Sequence, residues 1–424
     1  MVSITPPFST SRSASASASA PAVATPATTR DPRLDFFRGM AMIIILFAHT
    51  PGNFFTSWIP ARWGFSDATE MFVFCSGMAS AIAFGRTFER AGWSMGTARV
   101  AYRCWQVYWA HIGMFFAIAA TTIALNMVGS GERDYVGQLN LYPFFNDPMP
   151  EFLGLMTLRY VPNYFDILPM YLVILAMMPV VMLLARVNLW LVAAILVTVW
   201  VFAQSRLLEM LGVQHLALSF PAEPWSDRQW FFNPFGWQLV FFTGFALMIG
   251  WLPKPPVKPW LIGLALVVVI ANVPFSNIGV RAFERDWFGL AAEGNPVIAW
   301  RTANRIWITK TDFGLLRYLQ FLSLAYLAWV AVGEGGKRLI ARGTGLVSRI
   351  WDRVVHFMMK IGQQSLAVFV FSMLLARLNG FWLDEWGREA AWHTVLVNLT
   401  GVALLLAVAY GLAWIKSQPW RDKG

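Results

Sequence analysis

Long apolar stretches separated by polar segments recur along the chain from Asp31 onward. Most are close to the roughly 17–25 residues that an α-helix needs to cross the apolar layer of a bilayer. The pattern predicts an all-α integral membrane protein with about ten transmembrane helices. Their predicted positions are about 36–54, 68–86, 104–127, 165–185, 189–206, 234–252, 258–275, 314–332, 356–378 and 392–415.

The polar ends of the chain define its predicted domains. Residues 1–29 consist largely of Ser, Ala, Pro and Thr and lack the continuous apolar segment of a signal peptide. This composition predicts a disordered cytoplasmic tail. The transmembrane domain is predicted to span residues 30–416, and residues 417–424 form a second short cytoplasmic tail.

Composition supports the membrane assignment. Hydrophobic residues make up 57% of the chain and charged residues 13%, whereas soluble domains carry about 25% charged residues. A soluble globular protein, a disordered chain and a nucleic-acid-binding domain are therefore excluded. The two cysteines, Cys75 and Cys104, lie in or beside apolar segments, so neither a disulfide framework nor a Cys-rich metal site is expected.

The basic residues indicate how the chain is oriented, because cytoplasmic loops carry an excess of Lys and Arg. If the N-terminus is cytoplasmic, that side holds 20 of the 33 basic residues and six of the 23 acidic residues. Its formal charge is then +14, against −4 on the opposite side. An even number of helices returns the C-terminus, with Lys416, Arg421 and Lys423, to the cytoplasm.

The long connections lie on the opposite side, at about 128–164, 207–233 and 276–313. They are rich in Trp, Asn, Gln, Asp and Arg, which is typical of surfaces that bind carbohydrate by aromatic stacking and planar polar groups. The alternative interpretation of the tryptophans is an aromatic belt at the membrane interface.

The first predicted helix carries two ionisable residues, Arg38 and His49, eleven positions apart. At 100° per residue this spacing places both side chains on one helix face, roughly 16 Å apart. An ionisable side chain within a span is costly and usually faces the protein interior or a water-filled cavity. His49 is therefore a candidate catalytic base, or alternatively a core histidine bonded to a neighbouring carbonyl.

Three carboxylates enter the predicted helices from the same end as His49. Asp67 and Glu70 lie one helical turn apart at the start of the second span, and Asp166 enters the fourth. A histidine beside carboxylates is the arrangement of an oriented general base. The alternative is helix capping, since acidic residues also suit the first turn of a helix.

Other polar residues gather at both ends of the predicted spans. Candidates for substrate binding at the outer ends are Asn163, Asn233, Gln238, Lys310, Asp312 and Arg317. Asp312 and Arg317 could instead form a structural pair. Candidates for holding an anionic donor at the inner ends are Arg33, Arg38, Arg99 and Arg103, or these could be ordinary positive-inside anchors. The sequence has no P-loop, dinucleotide-binding, nucleophile-elbow or HExxH motif.

These residues resemble a known family. Arg38 and His49 on one helix after a cytoplasmic start resemble the first-helix motif of the superfamily of multi-pass membrane acyltransferases. Longer strings are similar to the OpgC family, which succinylates osmoregulated periplasmic glucans, and the similarity runs from about Arg30 to about Trp414. The strings are RDPRLDFFRG, AHTPGNFFTSW, GFSDATEMFVFCSG, NYFDILPMY, FNPFGWQLVFFTG and IGQQSLAVFVFS.

The resemblance implies an inner-membrane enzyme of a bacterial cell whose acceptor side faces the periplasm. Its donor substrate would be succinyl-CoA, entering a central tunnel, and its acceptor a periplasmic glucan. No metal, permanently bound cofactor or nucleic acid is expected, and the oligomeric state is not indicated. Within that frame His49, oriented by Glu70 or Asp67, is predicted to deprotonate a glucose hydroxyl as it attacks the thioester. The alternatives are an acyltransferase with another donor or acceptor, such as acetyl to a polysaccharide, and a proton-coupled transporter.

Overall fold

The computed structural model describes residues 31–341 and 343–421, and most of these residues are helical. The predicted tail at 1–29 and the last three residues of the predicted C-terminal tail lie outside the described part. The helices belong to one compact unit, Pro32–Gly424. Within the described ranges an isolated antiparallel bridge joins Pro221 to Gln229, and no β-strand is formed. The all-α prediction is confirmed.

The longer helices carry the architecture. They are α1 (Pro32–His49), α2 (Ala68–Ser80), α3 (Arg86–Val128), α4 (Ile167–Leu184), α5 (Leu189–Phe202), α6 (Pro234–Ile249), α7 (Pro259–Asn272), α8 (Leu315–Val332), α9 (Leu346–Gln363), α10 (Ser365–Trp386) and α11 (Ala391–Ser417). Short α-helices lie in the connections at Pro60–Trp63, Tyr142–Asn146, Pro148–Met156, Ser205–Met210, Asn277–Arg281, Pro296–Ala303 and Arg305–Ile308. Single 3₁₀ turns occur at Phe54–Ser57, Gly137–Leu139, Gln214–Leu216, Val273–Phe275, Ala292–Gly294 and Glu334–Gly336, and π-helical turns at Ala81–Gly85 and Ala282–Asp286.

Six helical segments in the described ranges are long and apolar enough to cross a membrane. A seventh results if α1 and the bent segment after it count as one span, and α5 and α6 are shorter apolar helices. The segment Ala68–Val128 contains two of the predicted spans. Gly92, with a φ of 81°, interrupts its helical backbone, a conformation that glycine adopts at little cost. The membrane character is thus supported, whereas the count of ten remains a prediction.

The predicted span at 356–378 has different boundaries in the structure. The helix breaks at Gln364, which has φ −109° and ψ 28°, so the segment is divided between α9 and α10. The cause is a change of pattern: α9 is amphipathic and carries Arg349, Arg353 and Lys360, whereas the continuous apolar run begins only in α10. The transmembrane candidate is α10, Ser365–Trp386.

Glycines set the closest contacts between helices. A Cβ at Gly39 of α1 would overlap the backbone of Met358 in α9, and one at Gly362 of α9 would overlap the backbone of Asp35. Gly77 of α2 meets the backbone of Phe241 in α6 in the same way. Small residues at helix interfaces let the backbones approach closely inside a membrane. These contacts fix α1 and α2, the helices that carry the candidate site.

The buried and exposed faces separate an inner group of helices from an outer one. The main core is built largely from α1, α2, α3, α4, α6 and α10. In contrast, α7 exposes Leu264, Leu266, Val267 and Ile270. Exposed apolar side chains on a membrane-spanning helix suit contact with lipid.

Candidate active site

His49 is the last residue of α1. Its Nδ1 lies 2.9 Å from the carbonyl oxygen of Ile45, one turn earlier. Because a carbonyl oxygen only accepts, Nδ1 donates, and in the neutral ring the free lone pair is on Nε2. Nε2 makes no hydrogen bond among the described residues, and the side chain is only half-buried. The imidazole is therefore held in the tautomer that leaves the lone pair of Nε2 free.

An aromatic ring lies beside His49, and a cation lies over that ring. The ring of Tyr164 meets the imidazole edge-on, with the two centroids 5.4 Å apart. Its hydroxyl donates to the carbonyl oxygen of Met373, at 2.7 Å. The guanidinium carbon of Arg377 lies 5.4 Å from the centroid of the same Tyr164 ring. His49 and Arg377 are thus two neighbours of one tyrosine.

Asp67 and Glu70 form a capping box at the start of α2, so the capping interpretation is correct. The Asp67 carboxylate accepts from the backbone N–H of Thr69 at 2.7 Å, and Glu70 accepts from the N–H of Asp67 at 2.7 Å. Such a box satisfies N–H groups that have no partner within the helix.

The same two carboxylates bind two cations. Lys310 Nζ lies 2.5 Å from Asp67 Oδ2, Arg317 Nη2 lies 3.3 Å from that oxygen, and Arg317 Nε donates to Glu70. Burial raises the pKa of Asp67, but Lys310 and Arg317 outweigh it and hold the pKa well below its usual range. Two basic and two acidic side chains thus face each other in this group.

Two predicted pairings are wrong. Arg317 pairs with Asp67 and Glu70, not with Asp312. In the described ranges no hydrogen bond joins His49 to Asp67 or Glu70, because the carboxylate oxygens already face cations. Asp67 and Lys310 interact with the imidazole only electrostatically. The ring is oriented by the Ile45 carbonyl instead.

Asp312, Asn233 and Gln238 form a separate group. Asp312 accepts from Ser205 Oγ at 2.6 Å and from Asn233 Nδ2 at 3.2 Å. Asn233 also caps α6 by accepting from the N–H of Phe235. Gln238 donates to the carbonyl oxygen of Leu196 in α5 at 2.7 Å. These contacts link α6 to α5 and to the segment just before α8, and burial raises the pKa of Asp312 despite its hydrogen bonds.

Asp166 and Asn163 lie on either side of Tyr164 in the sequence, but they bind the connection that precedes α6. Asp166 Oδ1 accepts from the N–H of Phe231 at 2.9 Å, and burial raises its pKa to about 6. Asn163 Oδ1 accepts from Arg228 at 3.3 Å. No described contact joins Asp166 to His49, so its predicted catalytic role gains no support from geometry.

A cavity of about 700 Å³ begins at Arg38 and extends between α3 and α10. Arg103 and Lys416 share its polar end, where Arg38 donates to the hydroxyl of Ser365. Of the four arginines predicted to bind an anionic donor, Arg38 and Arg103 line this cavity. Arg33 donates to the carbonyl of Gly333, and Arg99 to the hydroxyl of Thr87, so neither lines it.

The walls beyond that end are apolar, and they lead along α10 toward the histidine. Leu366, Val370 and Leu374 line the cavity at intervals of one helical turn. The next residue on this stripe is Arg377, and the carbonyl of Met373 binds Tyr164. The far end of the cavity thus approaches the group of His49, Tyr164 and Arg377.

Tyr164 and Arg377 were not predicted as site residues. A signal for Arg377 was present, because a cation inside an apolar run is costly and marks a functional candidate. No comparable sequence signal exists for Tyr164. Its φ of 88° is a left-handed backbone conformation that a bulky residue rarely adopts, and it becomes visible only in the structure.

In the described part of the chain no group of three or more His, Cys, Asp or Glu side chains is placed to hold a metal ion. A family model described as OpgC protein matches residues 30–417. This range includes every helix from α1 to α11. No curated protein and no solved structure matches the chain.

Proposed function

The chain belongs to the OpgC family, and we propose that it transfers a succinyl group from succinyl-CoA to glucan hydroxyl groups. Members of this family are membrane acyltransferases that modify glucans. The donor is supplied at the cytoplasmic face, and the acceptor lies in the periplasm. The observation that carries this proposal is the cavity. It begins at three basic side chains, Arg38, Arg103 and Lys416, and approaches a histidine with a free Nε2.

His49 acts as the general base. Nε2 takes the proton of a glucose hydroxyl as the oxygen attacks the thioester carbonyl. The carbon–sulfur bond breaks, the thiolate of coenzyme A leaves, and the imidazolium returns the proton to it. The products are an ester and free coenzyme A. Direct transfer is favoured because both cysteines are free and neither has a histidine as a described partner.

The donor is held along the cavity. Its phosphates face Arg38, Arg103 and Lys416, since charge-assisted hydrogen bonds to phosphate are among the stronger polar contacts. The extended pantetheine arm follows the apolar walls formed by α3 and α10 toward His49. This route accounts for a thioester made in the cytoplasm reaching an acceptor on the other side of a ~30 Å apolar layer.

The acceptor approaches from the end of α1 that carries His49. The long connections on that side expose aromatic side chains suited to stacking on sugar rings, among them Trp225, which is 47% exposed. Asn163, a partner of Arg228 and the chain neighbour of Tyr164, offers a planar polar group on this side. Lys310 and Arg317 act indirectly in this scheme, by holding Asp67 and Glu70 against α8.

The test is transfer by the purified protein from labelled succinyl-CoA to glucan, followed by mass spectrometry of the ester and by release of coenzyme A. His49→Gln is expected to reduce transfer by at least a hundredfold, since the loss of a general base typically costs about 10²–10⁴. His215→Gln, which changes an exposed histidine of another connection, is the matched control and should behave as wild type. Normal acylation by His49→Gln would refute the proposed mechanism.

A further inference from the structure

Arg377 is a buried cation that lacks an acidic partner among the described residues. Its side chain is 5% exposed. Nη2 donates to Gln138 at 2.6 Å, the guanidinium lies over Tyr164, and the buried Nε makes no hydrogen bond. Asp384 lies beyond ion-pair distance and is engaged by Arg133, Arg388 and Tyr135. An unpaired cation in an apolar interior is costly, which suggests that an anion completes this site.

The other cations near His49 are already compensated. Lys310 and Arg317 face the two carboxylates Asp67 and Glu70. Arg377 is the cation in this part of the described structure whose charge and Nε–H remain available. An anion that reaches His49 therefore finds its partner at Arg377.

The position of Arg377 defines where that anion sits. It follows Leu374 on the stripe of α10 that lines the cavity, and it shares the ring of Tyr164 with His49. Ser365, the contact of Arg38, lies twelve residues earlier on the same helix, about 18 Å along its axis. Two arginines with unpartnered Nε atoms thus mark the two ends of one route.

We propose that Arg377 binds the free carboxylate of a dicarboxylic acyl group and so makes the enzyme select succinyl over acetyl donors. This inference rests on the proposed acyltransferase function. Arg38 binds the phosphate end of the donor, and Arg377 binds the acyl end through its planar fork of N–H groups, which matches a carboxylate. The two methylene groups of succinate separate that carboxylate from the carbonyl carbon attacked beside His49.

The experiment compares succinyl-CoA, acetyl-CoA and the amide analogue of succinyl-CoA as donors for glucan acylation. Wild type should prefer succinyl-CoA over the isosteric amide by at least tenfold. In Arg377→Gln this preference, and the preference for succinyl-CoA over acetyl-CoA, should each fall by tenfold to a hundredfold. Arg377→Lys keeps the charge but not the planar fork of N–H groups. Its preference for succinyl-CoA should lie between those of wild type and Arg377→Gln. Arg388→Gln removes an arginine already paired with Asp384 and should keep the wild-type preference.

The ratio of rates for two donors within one variant does not depend on how much of the protein is folded. If Arg377→Gln is inactive with every donor, Arg377→Lys supplies the ratio. A preference as large as that of wild type in either active variant overturns the inference and leaves the proposed function standing. If wild type forms no ester from any of these donors, the proposed function itself has failed.

Discussion

At the scale of single residues, Tyr164 connects the parts of the candidate site. It holds a strained φ of 88°, and such strain typically costs about 1–3 kcal/mol and clusters at functional sites. The hydrogen bond from its hydroxyl to Met373 and the neighbouring Asn163–Arg228 contact hold it in place. Burial raises the pKa of Tyr164, so the hydroxyl stays protonated and continues to donate.

Arg38 is expected to determine the affinity for the donor. A hydrogen bond to a charged group contributes roughly 1.5–3 kcal/mol, so Arg38→Ala should weaken coenzyme A binding by about tenfold to a hundredfold. Titration of the purified protein with coenzyme A measures this. The control is Arg99→Ala, because Arg99 binds Thr87 and does not line the cavity. Equal affinities in the two variants would mean that Arg38 is only a topology anchor.

Asp166 is expected to make stability depend on pH. Burial raises its pKa to about 6, so the folded state holds the proton more tightly than the unfolded chain does. The stability gained from this proton is fully present below a pH of about 4 and is lost as the pH rises through about 6. Asp166→Asn cannot ionise and keeps an acceptor for Phe231. Its free energy of unfolding relative to that of wild type should therefore increase by up to ~3 kcal/mol between pH 4 and pH 7. Thermal unfolding at both pH values measures the gain, and a difference that does not change with pH would contradict it.

The sequence predicts the residues of the site better than their partners. Arg38 and His49 follow from the helical repeat of one segment, and the capping box of Asp67 and Glu70 follows from adjacent positions. The partners of those carboxylates, Lys310 and Arg317, lie more than 240 positions away in the chain. Local spacing contains no information on such contacts, because they depend on how α2 and α8 pack.

At the scale of secondary-structure elements, close packing between helices fixes the direction of α1. Gly39 and Gly362 bring α1 and α9 together, so the stripe from Arg38 to His49 is held relative to α10. Apolar periodicity predicts most helices within a few residues. It fails at 356–378, where the amphipathic end of α9 runs into the apolar start of α10, and hydrophobicity alone does not separate them.

Gly362→Ala is expected to destabilise the protein. The added Cβ would overlap the backbone of Asp35, and forcing atoms into a packed interface typically costs about 1–3 kcal/mol. The matched control is Gly263→Ala in α7, where the new Cβ meets open space. That change should be neutral or stabilise by up to ~1 kcal/mol, since alanine favours the helix over glycine. Thermal unfolding of both variants measures the difference, and equal midpoints would contradict this account of the α1–α9 contact.

At the scale of the whole molecule, charge is distributed along one route. The end of the cavity at Arg38, Arg103 and Lys416 is basic, and its walls are apolar as far as Leu374. Arg377 follows on the same helix, and the compensated group of Asp67, Glu70, Lys310 and Arg317 lies on the other side of His49 in the charge order of the site. The excess of basic residues predicts that the Arg38 end faces the cytoplasm. Donor and acceptor are therefore expected on opposite sides of the membrane.

Transfer across a sealed membrane tests this central claim most directly. Inverted vesicles that contain the protein are loaded with glucan in the lumen, which corresponds to the periplasm, and succinyl-CoA is added outside. We expect succinyl esters on the enclosed glucan and coenzyme A outside, with transfer reduced at least a hundredfold in His49→Gln although coenzyme A still binds. Transfer only when donor and acceptor share one compartment, or undiminished transfer by His49→Gln, would contradict the account.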